Sequence, residues 1–167
     1  MCIRDSGYSP AEFGLYFSVT SLCYLIGNWA NSRYFVARGI ERAAMLGCCL
    51  SLLAVLGMTA TQAAGYSSAL SLVLPCCLFG FSNGIVVANT TVGAMSASGK
   101  HAGTGTGLTG AWQMAAGGIA GALIIAAGGD RHFSIAMAGM ILMSVAAVAS
   151  MTVVYLDSRP RPQARRV

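Results

Sequence analysis

The stretch GTGLTGAWQMAAGGIAGALIIAA, Gly105 to Ala127, holds no Asp, Glu, Lys, Arg or His. As a helix it is long enough to cross the roughly 30 Å hydrocarbon core of a bilayer. A helix on the surface of a soluble protein carries a charged stripe opposite its apolar face, and this one has none. Its first six residues, Gly105-Thr106-Gly107-Leu108-Thr109-Gly110, match the GxGxxG pattern. A dinucleotide fingerprint also needs a preceding strand and an acidic residue about 20 residues further on. Here a hydrophilic link precedes the pattern, and Asp130 lies beyond the apolar run. The glycines are therefore read as helix-packing residues.

Four more stretches of the same kind flank it, at 13–30, 43–61, 70–92 and 133–155, and none contains Asp, Glu, Lys, Arg or His. The expected fold is an all-α membrane protein, a bundle of about five transmembrane helices within residues 7–157. Composition agrees: 56% of residues are hydrophobic and 9% charged, against roughly 25% charged in an ordinary soluble chain. So few charges cannot cover a surface exposed to water, and the lipid bilayer is the expected surrounding.

The links carry the charge. Arg33, Arg38, Arg42 and Glu41 lie between the first two stretches, Lys100 and His101 between the third and fourth, and Asp130 and Arg131 between the fourth and fifth. Residues 158–167 form a basic tail with Arg159, Arg161, Arg165 and Arg166. Lys and Arg on alternate sides favour the side that holds the first link, the third link and the tail, so the positive-inside rule places the C-terminus in the cytoplasm. Asn31, Arg33 and Arg38 then belong to a cytoplasmic loop. The net charge of +5 is explained by orientation, because the basic residues are not interleaved with aromatics as in a nucleic-acid surface. No nucleic-acid partner is expected.

Metal and catalytic constellations are missing from the sequence. The two histidines, His101 and His132, lie in links, and the six cysteines show no CxxC spacing. Cysteine in apolar runs packs as a small hydrophobe. No cofactor, no metal and no enzymatic activity are expected. The features with functional content are small and amide side chains. Gly80 and Gly84, Gly103 and Gly107, and Gly117 and Gly121 are pairs four apart, a spacing that lets helix backbones approach closely. Asn28, Asn83, Asn89 and Gln113 are polar residues in or at the end of spans, where each needs a partner or water. They are read as lining a substrate cavity, with Asn83 and the pair Asn89-Thr90 near one face of their helix. Pro75 lies in the same span and removes a backbone hydrogen bond.

The run Tyr8-Ser9-Pro10-Ala11-Glu12-Phe13-Gly14-Leu15-Tyr16-Phe17 followed by Asn31-Ser32-Arg33 resembles the eighth helix and following loop of the bicyclomycin/chloramphenicol-resistance type of drug:proton antiporter, in the major facilitator superfamily. Leu78-Phe79-Gly80 through Asn89 is similar to that family's tenth helix. Ala102-Gly103-Thr104, with Gly110, Gln113 and Gly117 to Gly121, is similar to its eleventh, and Gln113 matches a glutamine common at that place.

The resemblance implies a C-terminal fragment of a twelve-helix transporter, covering about helices eight to twelve, in the bacterial inner membrane. It implies multidrug efflux by proton antiport in the full-length protein. The partners there would be a small amphipathic drug-like substrate, protons, and N-terminal helices missing from this chain. The proton-coupling acidic residues would lie mainly in those missing helices. Residues 1–6, Met-Cys-Ile-Arg-Asp-Ser, read as a non-native leader. The alternatives are a small membrane scaffold or assembly subunit and, with less support, a membrane-embedded enzyme.

Overall fold

The structure, a computed structural model, describes residues 10–65, 69–129 and 132–157. The expected leader 1–6, the basic tail 158–167 and the link residues Asp130 and Arg131 lie outside the described residues. Among the described residues all regular structure is helical. Five α-helices follow in order: α1 (Pro10–Ala30), α2 (Ile40–Ala63), α3 (Ala69–Ser98), α4 (Ala102–Ala126) and α5 (Phe133–Asp157).

These apolar runs satisfy their own backbones, which is what hydrocarbon demands of a spanning segment. Most of their hydroxyls do the same. Ser18 donates to the Gly14 carbonyl at 2.8 Å, Ser21 to Phe17 at 3.0 Å, Thr90 to Val86 at 2.9 Å and Ser150 to Ala146 at 2.8 Å. A hydroxyl bonded back one turn presents a nearly apolar exterior, so such residues can face lipid.

By length and composition, three segments among the described residues are suited to crossing a membrane: Ile40–Ala63, Ser71–Ala126 and Phe133–Asp157. The middle one is 56 residues long because α3 continues into α4 through a 3-10 turn, Gly99–His101. The expected polar link after Val92 is thus mostly helix. Gly99 has φ of +49°, a left-handed conformation that glycine adopts without strain, and it reverses the chain. A Cβ placed on Gly105 of α4 would meet Ser98 and the Ala94 carbonyl oxygen of α3, the latter at 3.4 Å. On a straight helix Ala94 and Gly105 would be about 16 Å apart. The span is therefore a helical hairpin. α1 is not among these segments of the described residues; Ser18, Thr20, Ser21, Tyr24 and Asn28 lower the apolar content of its described part.

The link expected between α1 and α2 is also helical. Asn31–Phe35 continues α1 as a π-helical turn and Val36–Arg38 as a 3-10 turn. Gly39, at φ +103°, then reverses the chain into α2. Glu41 in the first turn of α2 places a carboxylate at the positive end of the helix dipole.

α3 is the centre of the packing, with α1 and α2 against it, and α5 covers α2. The contacts are made by small residues. A Cβ on Gly80 would lie 2.6 Å from the Thr20 carbonyl oxygen, one on Gly84 would collide with that of Tyr24, and one on Gly27 with that of Phe81. On the other side of α3, a Cβ on Gly47 of α2 would lie 2.7 Å from Val86 Cγ2. Ala43, Ala44, Cys48, Ala54, Val55 and Ile85 complete this core. α4 is different: none of its residues is buried. It meets α3 near the hairpin turn and α5 at its far end, where Ile124 lies against Gly139.

Candidate functional site

The amides separate into two groups. Asn89 is 1% exposed and Asn31 3% exposed. Asn89 Nδ2 donates to Asn31 Oδ1 at 2.7 Å and to the Ile85 carbonyl at 2.8 Å. Asn31 is therefore a buried residue in the helical continuation of α1, which corrects its expected place in a loop. Its π-helical turn keeps the side chain directed at α3. The bond ties the end of α1 to α3 above the glycine contacts.

Asn83 and Gln113 behave in the opposite way. Both are exposed, and among the described residues neither side chain has a hydrogen-bond partner. Asn83 does not share a face with Asn89: six residues correspond to about 240° of rotation around a helix. Asn89 turns into the α1 contact, and Asn83 turns away from it. Eleven residues separate Asn83 from Ala94, about 20° from whole turns, so Asn83 lies on the side of α3 that meets α4 at the hairpin. On α4, Trp112 lies seven residues after Gly105, within about 20° of the same side. Yet Trp112 is 73% exposed. The two helices touch at the turn and then diverge, and the sides that would meet in a tight hairpin are bare.

Asn83 lies about 16 Å along α3 from the Ala94 contact, and Gln113 about 12 Å along α4 from Gly105. Asn83 and Gln113 thus stand at nearly the same height. Asn83 is on the α3 wall of this cleft, with the exposed Thr90 nearer the turn. Gln113, eight residues after Gly105, is turned about 80° from the side of Gly105 toward the edge of the cleft. Asn28 is at a matching height on α1, because its backbone nitrogen lies 2.9 Å from a Cβ placed on Gly84. It is half-buried, and no hydrogen bond of its side chain is found among the described residues.

An amide without a partner costs several kcal/mol in hydrocarbon, on the order of 2–7. Asn83 and Gln113 therefore suit a water-filled or protein-lined space and do not suit lipid. No neutral amide can donate a proton at ordinary pH, so such a space can hydrogen-bond a polar group on a ligand but does no acid–base chemistry.

The paired glycines also separate. Gly80 and Gly84 sit where α1 and α3 touch, whereas a Cβ on Gly103, Gly107, Gly117 or Gly121 would have no other atom within 4 Å. Arg33 and Arg38 are exposed at the turn between α1 and α2. Around Pro75, at the opposite end, the described residues line two cavities. One of about 80 Å³ is lined by Thr20, Val55, Met58, Cys76, Phe79 and Met140 among others, and is apolar. The second, about 340 Å³, lies between Leu53, Gly57, Leu74 and Leu78. Neither includes the amides. Among the described residues no group of three or more His, Cys, Asp or Glu could hold a metal ion.

Neither the Asn31–Asn89 pair nor the close approach of Gly27 is evident in the sequence. Two amides in adjacent apolar segments are a signal that they could pair. Nothing local, however, marks Asn31 as helical. Comparison with protein-family models, curated proteins and solved structures found no match.

Proposed function

We propose that the five helices are five membrane spans from the C-terminal part of a secondary active transporter, a multidrug efflux protein driven by proton antiport. The observation that carries this reading is the pair of exposed amides, Asn83 on the α3 wall of the cleft and Gln113 at its α4 edge, at nearly one height and without side-chain partners among the described residues. Amides at mid-span fit the binding cavity of a transporter, which lies near the bilayer midplane between two halves. Asn28 adds a third polar position at that height. The resemblance to bicyclomycin/chloramphenicol-resistance type antiporters supports the same assignment.

In this reading helices outside the chain complete the cavity opposite α4 and supply the proton-coupling carboxylates. The turn from Asn31 to Arg42 is cytoplasmic and latches α1 to α3 through Asn89. The protein resides in the bacterial inner membrane with its C-terminus inside. A small scaffold subunit is the second reading, favoured by the bare surface of α4, which a partner could cover.

Efflux by the full-length parent tests the first reading. With Asn83→Leu and Gln113→Leu, resistance to a cationic amphipathic drug should fall while the protein still reaches the membrane. Full resistance in both variants would remove the amides from the cavity. The reading frame upstream of Gly7 distinguishes the two readings: seven further spans support the transporter, and a native start there supports the scaffold.

A further inference from the structure

The end of the molecule that holds the α1–α2 turn carries a cluster of cations beside two aromatic rings. Arg33, Arg38 and Arg42 fall within ten residues and all are exposed. No ion pair joins them to a carboxylate among the described residues. The one acidic residue nearby in sequence, Glu41, sits in the first turn of α2, where the helix dipole already engages it. Lys100 and His101, in the α3–α4 turn, are exposed at the same end. The common level follows from the Asn31–Asn89 bond: from that shared height, both Arg38 and Lys100 lie about 10–15 Å further along their helices.

Trp29 and Tyr34 flank Arg33 in sequence. Their ring centroids are 6.0 Å apart at an interplanar angle of 81°, an edge-to-face pair. Both residues are more than half exposed, although large aromatic surface is normally buried. Exposed Trp and Tyr next to apolar helices mark the level of lipid headgroups. Arginine forks match phosphate oxygens in geometry. Arg33 lies between the two aromatic residues in sequence, Arg38 and Arg42 follow them toward the polar turn, and the apolar length of α1 lies on the other side. This order is that of a phospholipid: phosphate, glycerol, acyl chain.

We infer that Arg33, Arg38 and Arg42, with the Trp29–Tyr34 pair, form a binding site for the headgroup of an anionic phospholipid. The partner is the lipid itself, held by its phosphate between guanidinium groups while its upper acyl chain lies along the rings. The inference needs the chain to lie in a bilayer, and it is independent of what the protein transports.

The chain has two tryptophans, Trp29 and Trp112. A Trp112→Phe background makes fluorescence report from Trp29 alone. The full chain is reconstituted in phosphatidylcholine vesicles with acyl-brominated phosphatidylglycerol or acyl-brominated phosphatidylcholine as quencher. Brominated phosphatidylglycerol should quench Trp29 at about a tenfold lower mole fraction, on the expectation that each basic residue at the surface adds to attraction for an anionic lipid. The preference should vanish in Arg33→Gln/Arg38→Gln/Arg42→Gln. It should weaken but remain in the corresponding triple lysine variant, which keeps the charge and loses the fork, and it should persist unchanged when Arg159, Arg161, Arg165 and Arg166 are changed to Gln.

Equal quenching by the two lipids in the Trp112→Phe background would overturn the site. So would a preference that follows the tail arginines. If inorganic phosphate abolishes the preference where chloride of equal ionic strength does not, the site takes free phosphate and the lipid assignment fails. Quenching by brominated phosphatidylcholine checks insertion separately. Its loss in the background protein would count against the membrane placement itself, and its retention in the glutamine variant shows that this variant still inserts.

Discussion

Asn89 Nδ2 lies 2.7 Å from Asn31 Oδ1, and the two residues are almost wholly buried between α1 and α3. This hydrogen bond is a polar joint in an interface whose closest contacts are glycine against backbone. Replacing either residue alone with Leu leaves the remaining amide short of a partner and should destabilise the chain by about 1–2 kcal/mol. The double replacement should cost less than the sum of the two, with a coupling of about 1 kcal/mol. Unfolding of the four proteins in mixed detergent micelles measures the cycle. Additive costs would mean that the two amides do not act as a pair.

Glycine positions should differ sharply in tolerance. A Cβ on Gly80 has the Thr20 carbonyl oxygen 2.6 Å away, and backbone cannot yield as a flexible side chain does. Gly80→Val and Gly84→Val should each destabilise the fold by about 2–3 kcal/mol through forced separation of α1 from α3. Gly107→Ala and Gly117→Ala face open space and should be neutral or slightly stabilising in this chain, since alanine favours helix by about 1 kcal/mol. Retention of folded protein on heating, followed by size-exclusion chromatography, ranks them.

Water should reach the α3–α4 cleft. In a background with the native cysteines replaced, Asn83→Cys and Gln113→Cys should react with a membrane-impermeant thiol reagent in right-side-out or inverted vesicles of the full-length parent. Leu22→Cys, on an exposed apolar part of α1, should stay unlabelled at the same reagent concentration because lipid shields it. Equal labelling of all three would show that exposure on these helices does not distinguish water from lipid.

Orientation is checked by fusion. A reporter active only in the cytoplasm should function after Val167, and one inserted between Ala64 and Gly65 should not, since these points are separated by an odd number of proposed spans. The reverse pattern would invert the topology and move the Asn31–Arg42 turn outside.

The helical character is legible in the sequence because long runs without charge permit little else. Site geometry is less so. Hydropathy drops after Ala30, which suggests the end of the first span, whereas the backbone continues helically to Arg38 and carries Asn31 into the interface. The spacing of Asn83 and Asn89 suggests one face, but only seven residues bring a helix back to its starting side; Thr90 is the residue that shares the side of Asn83. The glycine pairs of α3 and α4 have identical spacing, yet only Gly80 and Gly84 meet a neighbouring backbone. Spacing states that a close approach is permitted. Which helix makes it is decided by tertiary packing, which no local pattern encodes.

α4 is held by α3 at Gly105 and by α5 through Ile124, and between those points it touches little. Mechanically it is a beam fixed near both ends. Gly110, Gly117 and Gly118 lie in the unsupported length, and glycine lowers the resistance of a helix to bending. Such a beam deflects most at its midpoint, and Gln113 is within a turn of it. A bow of α4 would carry that amide toward or away from Asn83 while both fixed ends stayed in place. The width of the cleft can therefore change without breaking either end contact.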